Sequence, residues 1–200
     1  WFEEGHHQMR VDVASRTIHH RKYGATFAES WTSADGATLL AVGSVLSGTD
    51  PVVVSDLMRT GARALVTSRK ALAGALASLD RIVQNHAREH RDDQLAVALY
   101  LLAGAPGTDN FDLAGAGQLH AAVFDDTGRQ RHLHGRAAPL GTGIEPPELI
   151  ESVRLRRDDV LVVATVPLVP GWWEAGVRTA EDLLRRSDAA EASAGVVRPG

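Results

Sequence analysis

Apolar residues near the start of the chain follow strand spacing. Val11 and Val13 flank Asp12, as in a half-buried strand, and residues 38–42 form a short continuous apolar run typical of a strand inside a sandwich core. The Asp-Gly pair within residues 34–36 is a hairpin turn signal. The pattern therefore predicts strands joined by a tight turn.

Two stretches with helical spacing come next. Asp50 and Pro51 indicate a helix start, with Asp50 at the N-cap and Pro51 at the first helical position. Residues 52–68 and 71–90 then repeat apolar side chains every third or fourth position. The short break at 68–70 predicts that the two helices are antiparallel neighbours.

The second half of the chain returns to strand patterns, and a last helix is expected at about 179–187. Apolar or alternating segments predict strands at 94–102, 110–113, 119–124, 131–135, 153–156 and 160–165. This order of elements indicates an α+β fold with helices packed on a sheet sandwich. We expect one domain at 11–200, preceded by a tail or linker remnant at 1–10.

Composition excludes several classes of protein. Two hundred residues are enough for one domain with a sizeable core, and there is no cysteine for disulfide or thiol chemistry. The net charge of −4 comes from mixed acidic and basic residues, which does not favour nucleic acid as a partner. No apolar run approaches the ~20 residues of a membrane span. We therefore expect a cytoplasmic protein, and the first residue, Trp1, indicates a piece of a longer chain.

Four short segments carry the main functional indication: residues 24–29 (GATFAE), 40–45 (LAVGSV), 161–167 (LVVATVP) and 191–197 (EASAGVV). In order and spacing they resemble the signature segments of the type 2C (PPM, metal-dependent) protein phosphatases, in the sporulation-type (SpoIIE/RsbU-like) bacterial branch. There the segments read Gly-Gly-Asp-Phe-Tyr-Asp, Gly-Asp-Val-Ser-Gly-His-Gly, Thr-Asp-Gly and Asp-Asp. The resemblance runs from about residue 11 to residue 197 and implies an α-β-β-α sandwich.

The resemblance also implies a metal centre whose ligands are absent from this sequence. The family's metal-binding aspartates fall on Thr26, Ser44, Val166 and Ala192. The family's ions, Mn²⁺ or Mg²⁺, prefer carboxylate and water oxygens, and they activate the water that attacks the phosphate. We therefore expect no metal, no cofactor and no catalytic residue here. The predicted function is that of a pseudophosphatase, a catalytically inactive phosphatase-like domain with a regulatory or partner-binding role in bacterial signalling.

Two other interpretations stay open at this point. Glu29 and Asp50 are residual acids near the segments, and a displaced metal site built on them would give an active serine/threonine phosphatase acting on a phosphorylated STAS-type regulator. The alternatives are an exposed acid and a helix N-cap. His86 and His90 match the His-x-x-Glu-His pattern of inverted zinc peptidases, which suggests a zinc hydrolase, although a solvated helix end has the same pattern.

A protein partner is the remaining expectation from the resemblance. The sporulation-type branch acts on small STAS-domain anti-sigma antagonists of partner-switching pathways, so a protein of this kind is the expected partner. Trp172 and Trp173 come after the third segment, in a loop that begins at Pro170 and Gly171. Adjacent aromatic residues there can pack over the former metal site or form a binding hot spot, and we expect one ring in each role.

Overall fold

The computed structural model describes residues 11–14, 25–67, 71–105, 108–118, 120–125, 127, 129–133, 137–144, 151–156, 159–164 and 195–199. In chain order the elements of this part are β1 (Val11–Ala14), β2 (Thr26–Thr32), β3 (Thr38–Ser47), α1 (Pro51–Leu65), α2 (Leu72–His90), β4 (Ala96–Gly104), β5 (Asn110–Ala116), β6 (His120–Phe124), β7 (Gln130–Leu133), β8 (Glu151–Arg154), β9 (Val160–Ala164) and β10 (Gly195–Pro199). Neither of these helices is long and apolar enough to cross a membrane.

The strands form two antiparallel sheets that stack face to face. Sheet I has the strand order β2-β3-β4-β5-β8, and sheet II has the order β1-β10-β9-β6-β7. One apolar cluster lies between the sheets and draws residues from both. Its larger members are Leu40, Tyr100, Leu102, Phe111, Leu113, Val123, Leu133, Val153, Leu161 and Val163.

The two helices cover the other face of sheet I. A second apolar cluster joins them to the strands, and its larger members are Phe27, Leu39, Met58, Leu72, Leu76, Leu79, Val83, Leu99, Leu101 and Leu140. Sheet I is thus covered on both faces. This explains why β3 and β4 read as continuous apolar runs, since strands buried on both faces have no solvent side on which polar residues could alternate.

The fold predicted from the sequence is confirmed. The strands, the two helices and their order along the chain agree with the expected α+β sandwich. Helix α1 begins at Pro51 as predicted but ends at Leu65, and Asp50 occupies the N-cap position without a side-chain capping hydrogen bond. The break at 68–70 and the helix expected at 179–187 lie outside the described residues.

Buried carboxylates fasten α2 to the loops around it. Asp80 accepts hydrogen bonds from the Gly141 backbone N–H at 2.8 Å and from the Gln84 side-chain amide at 2.7 Å. At the end of the helix, Asp92 accepts one from the Thr49 backbone N–H at 2.7 Å. Burying a carboxylate costs free energy unless it is hydrogen-bonded, so these contacts hold both loops on the helix.

Aromatic rings lie across glycines on neighbouring strands of sheet I. Phe27 is the register partner of Gly43, and Tyr100 is the partner of Gly115. A Cβ atom added to Gly43 would lie 2.3 Å from the Phe27 ring, and one added to Gly115 would lie 2.4 Å from the Tyr100 ring. The missing side chains make room for the rings, so glycine is required at these strand positions for steric reasons.

We expect Gly43→Ala to destabilise the protein by about 1–3 kcal/mol, because the new methyl group overlaps the Phe27 ring in a closely packed core. Gly74→Ala is the matched control, since nothing lies within 4 Å of a Cβ added at this exposed position of α2. It should stabilise the helix by roughly 0.5–1 kcal/mol. Urea unfolding of both variants measures the two effects, and equal effects would contradict the steric explanation.

Candidate functional site

The first two positions predicted to lack metal-binding aspartates face each other across neighbouring strands. Thr26 on β2 is the register partner of Ser44 on β3, and Ser44 is in turn the partner of Ala98 on β4. Side chains alternate along a strand, so Ser44 shares its face with Val42, which packs between the two sheets. Thr26 likewise shares its face with Ala28 of that cluster. Both hydroxyls therefore lie on the inner face of sheet I, near one end of the sandwich.

Ser44 is the more unusual of the two residues. Its side chain is fully buried, and among the described buried side chains its Oγ is the one polar atom without a hydrogen-bond partner. Thr26 is only half-buried. An unsatisfied buried hydroxyl costs about 1–3 kcal/mol, and in a native structure such a group calls for an explanation.

The chain passes from sheet I to sheet II beside this pair. After β5 it runs through Gly117 and Gln118, and a Cβ added to Gly117 would lie 2.9 Å from the Cβ of Ala98. Strand β6 then begins at His120, whose register partner is Ala164 at the end of β9. The end of β9 therefore belongs to the same end of the sandwich as Thr26 and Ser44.

The third and fourth degenerate positions fall outside the described residues. Val166 follows β9 by two residues, and Ala192 precedes β10 by three. Trp172 and Trp173 also lie outside the described part of the chain. The roles assigned to these four residues remain predictions.

The side chains present do not fit a pair of hard divalent cations. Thr26 and Ser44 supply neutral hydroxyls where Mg²⁺ or Mn²⁺ requires carboxylate oxygens. Across the described ranges, no group of three or more His, Asp or Glu side chains is arranged to hold a metal ion. What the site offers instead is hydroxyl groups, one of them isolated from water.

Glu29 is held away from this pair by the geometry of its strand. It lies three positions along β2 from Thr26, an odd number, so the two side chains project from opposite faces of the sheet. The Glu29 carboxylate forms an ion pair with Arg63 of α1 at 2.6 Å. In the structure this acid therefore fastens the edge strand β2 to the helix layer.

Asp50 is an exposed residue at the start of α1. Its backbone carbonyl accepts the Val54 N–H at 3.1 Å, which is the first hydrogen bond of the helix. The buried acid near this loop is Asp92, which the sequence analysis did not single out. It accepts hydrogen bonds from both the backbone N–H and the hydroxyl of Thr49. No sequence motif identifies Asp92, because its burial depends on the loop that follows β3.

His86 and His90 lie at the end of α2 with their rings stacked, the centroids 4.1 Å apart. His90 Nδ1 donates a hydrogen bond to the His86 carbonyl at 2.9 Å. This hydrogen bond occupies Nδ1 of His90. In the described part of the chain, no third side chain completes a metal site with the two histidines. The arrangement is that of a polar helix end, without the third protein ligand that a zinc site requires.

Solved structures with a similar fold include bacterial serine/threonine phosphatases. The S. agalactiae serine/threonine phosphatase aligns with a TM-score of 0.69 at 12% identity, over 94% of this chain and 98% of that one. RsbX in complex with magnesium aligns with a TM-score of 0.64 at 9% identity, over 96% and 94%. At these identities the likeness establishes the fold alone.

A third similar structure contains the RsbU and RsbW domains of a Mycobacterium tuberculosis protein. It aligns with a TM-score of 0.64 at 20% identity, over 88% of this chain and 51% of that one. The family described as Stage II sporulation protein E (SpoIIE) matches residues 34–192. The chain therefore belongs to the SpoIIE family, as the resemblance implied. Among curated protein sequences none matches.

We expect Ser44→Ala to leave stability unchanged or to raise it by up to about 1 kcal/mol, because it removes a buried hydroxyl that has no partner. Ser47→Ala is the control, since Ser47 donates a hydrogen bond to the Gln94 carbonyl and its removal should destabilise slightly. Thermal unfolding of both variants provides the measurement. A marked loss of stability in Ser44→Ala would mean that the hydroxyl has an unseen partner.

Proposed function

We propose that this chain is a catalytically inactive member of the SpoIIE family, a pseudophosphatase that acts by binding a protein partner. The observation that carries the proposal is the opposed pair Thr26 and Ser44, which puts two neutral hydroxyls where the family resemblance implies aspartates. The family relationship supports the phosphatase ancestry. The chemistry of the two side chains supports the loss of activity.

The argument rests on charge. A two-metal phosphatase site brings two divalent cations within about 3.5–4 Å of each other, and the carboxylates around them offset that repulsion. Hydroxyls can contribute lone pairs but no negative charge. With neutral residues at Thr26, Ser44 and Val166, little remains to compensate for removing the water shell of the ions.

The competing function is an active phosphatase with an altered metal site. It would need acidic side chains that can reach the space between the sheets at this end of the sandwich. Glu29 projects from the other face of sheet I and is paired with Arg63, and Asp50 is exposed at the helix start. The positions of both residues favour the inactive protein.

The proposed partner is a STAS-domain anti-sigma antagonist. Family membership supports this choice, and so does the fold likeness to a structure that contains RsbU and RsbW domains. In this proposal the domain recognises its partner without hydrolysing it. Trp172 and Trp173 are the proposed contact surface, because large aromatic side chains dominate the energetics of protein interfaces.

Restoring the aspartates tests whether their absence makes the domain inactive. We expect the wild-type chain to bind no Mn²⁺ pair and to show no Mn²⁺-dependent hydrolysis of p-nitrophenyl phosphate. Ser44→Asp alone should not restore activity, because it supplies one ligand of a cooperative set and buries an unpaired charge. Thr26→Asp, Ser44→Asp and Val166→Asp together form the fair test, with calorimetry for Mn²⁺ and absorbance for turnover.

Each outcome of this experiment separates the two functions. Strong Mn²⁺-dependent turnover by the wild-type chain would establish the active phosphatase and refute the proposal. Turnover from Ser44→Asp alone would mean that the site is nearly intact. Glu29→Gln added to the triple variant serves as the control, since removal of an acid on the opposite face of the sheet should change stability without changing Mn²⁺ binding.

Alanine variants of Trp172 and Trp173 distinguish a role in packing from a role in partner binding. If Trp172 or Trp173 faces the partner, its Ala variant should keep its melting temperature and lose STAS-protein binding in calorimetry. If the ring packs inward, its Ala variant should lose roughly 3–5 kcal/mol of stability. Trp31→Phe is the control for a tryptophan with a structural role. The Trp31 indole N–H donates a hydrogen bond to the Val66 carbonyl at 3.2 Å and so joins the sheet to the helix layer. Unchanged binding and stability in both Ala variants would refute the role of this segment.

A further inference from the structure

A cleft of about 360 Å³ opens at the other end of the sandwich. It lies between the β6–β7 hairpin and the connection from β8 to β9, where the edge strands of the two sheets meet. Its walls carry four arginines and two aspartates: Arg129, Arg131, Arg154, Arg156, Asp125 and Asp159. A volume of this size is within the range of small-molecule sites.

This cleft is separate from the degenerate metal positions. Strand β5 ends at Ala116, next to the crossover beside those positions, and begins at Asn110, whose register partner is Arg154 in the cleft wall. Six residues of strand at ~3.3 Å each place the two sites about 20 Å apart. A ligand in the cleft would therefore make no contact with Thr26 or Ser44.

Two of the four arginines are partly neutralised by carboxylates at the rim. Arg131 pairs with Glu151 at 3.1 Å, which ties β7 of sheet II to β8 of sheet I, and Arg154 pairs with Asp109 at 2.5 Å. Each of these contacts uses one N–H group of a guanidinium that has five. The ion pairs hold the side chains in place and leave donors for a ligand.

The two aspartates of the cleft are directed at backbone groups. Asp125 accepts hydrogen bonds from the Thr127 backbone N–H at 3.0 Å, the Thr127 hydroxyl at 2.6 Å and the Arg129 backbone N–H at 2.8 Å. The bond from the Thr127 hydroxyl is the main reason that the pKa of Asp125 lies below its usual value. Asp159 accepts the Arg156 backbone N–H at 2.8 Å. Both carboxylates thus close the turns that carry Arg129 and Arg156.

The guanidinium groups of Arg129 and Arg156 are the cations of the cleft with free hydrogen-bond donors among the described residues, although the charge of Arg129 also helps to lower the pKa of Asp125. Neither forms a hydrogen bond or close ion pair with another residue in the described part of the chain, and both are exposed. Four arginines face two aspartates in the walls, and Glu151 and Asp109 at the rim balance Arg131 and Arg154, so the described charges cancel overall. Recognition of an anion here therefore rests on the paired N–H donors of Arg129 and Arg156 rather than on net charge.

We propose that this cleft binds a diphosphate group. Guanidinium forks match phosphate oxygens with paired N–H donors, and charge-assisted bonds of this kind are the strong ones. The residues that carry specificity are Arg129 and Arg156, because within the described ranges their guanidinium donors have no hydrogen-bond partner. The two sources of this group are free diphosphate and a nucleotide, and the proposed site requires neither a metal nor the Thr26–Ser44 pair.

Isothermal titration with pyrophosphate, with ADP and with sulfate tests the proposal on the full chain, with EDTA present. We expect pyrophosphate to bind and sulfate to bind at least roughly tenfold more weakly, since it lacks the second anionic group. The double variant Arg129→Gln, Arg156→Gln should weaken pyrophosphate binding by about tenfold or more. Arg59→Gln on α1 is the control. Arg59 is an exposed arginine that does not line the cleft, and its replacement should change pyrophosphate binding less than about twofold.

The ADP titration distinguishes the source of the diphosphate. Tighter binding of ADP than of pyrophosphate would indicate a nucleotide, and equal binding would indicate recognition of the diphosphate alone. Amide chemical shifts of Thr127 and Gln130 should move on titration in the wild type, which locates the ligand in the cleft. Absence of binding at about 10 mM pyrophosphate, an equal loss in Arg59→Gln, or binding of a polyglutamate peptide without pyrophosphate binding would overturn the proposal.

Discussion

The structure depends on the burial of sheet I between two apolar layers. Its central strands β3 and β4 contact the helices on one face and sheet II on the other, so nearly every position along them must be apolar or very small. Under this constraint a charged side chain is tolerated only where a cation or a set of hydrogen bonds compensates for its lost hydration. Ser44 occupies such a position, and without a metal a neutral residue is the stable choice there.

Buried carboxylates elsewhere in the described structure show how such compensation is achieved. Asp80 and Asp92 are buried carboxylates, and each receives a backbone N–H from a loop together with a side-chain donor. The orphan hydroxyl of Ser44 is the contrast, since nothing in the described part of the chain satisfies it. An unpartnered hydroxyl at such a position costs less free energy than an unpartnered carboxylate would.

Much of the fold could be predicted from the sequence, because strand and helix periodicity, Pro51 at a helix start and an Asp-Gly turn are local signals. The register that opposes Thr26 and Ser44 came only from the structure, although the family segments had already placed both residues at one site. The separation of Glu29 from that pair follows from strand parity, but it is meaningful only once the helix layer is located. The arginine cleft could not be predicted, since residues from two hairpins meet there through the pairing of distant strands.

Tyr100 is fully buried between the two sheets, and its hydroxyl donates to the Gln118 carbonyl at the crossover. Burial raises its pKa above the ordinary value, so the folded protein keeps this phenol protonated in alkali that would ionise it in the unfolded chain. The buried phenol therefore makes its full contribution to the free energy of unfolding below the ordinary tyrosine pKa, and this contribution is lost as the pH rises above that value. The chain has only one other tyrosine. The near-ultraviolet absorbance of tyrosinate is thus an intrinsic optical indicator of whether the two sheets remain together.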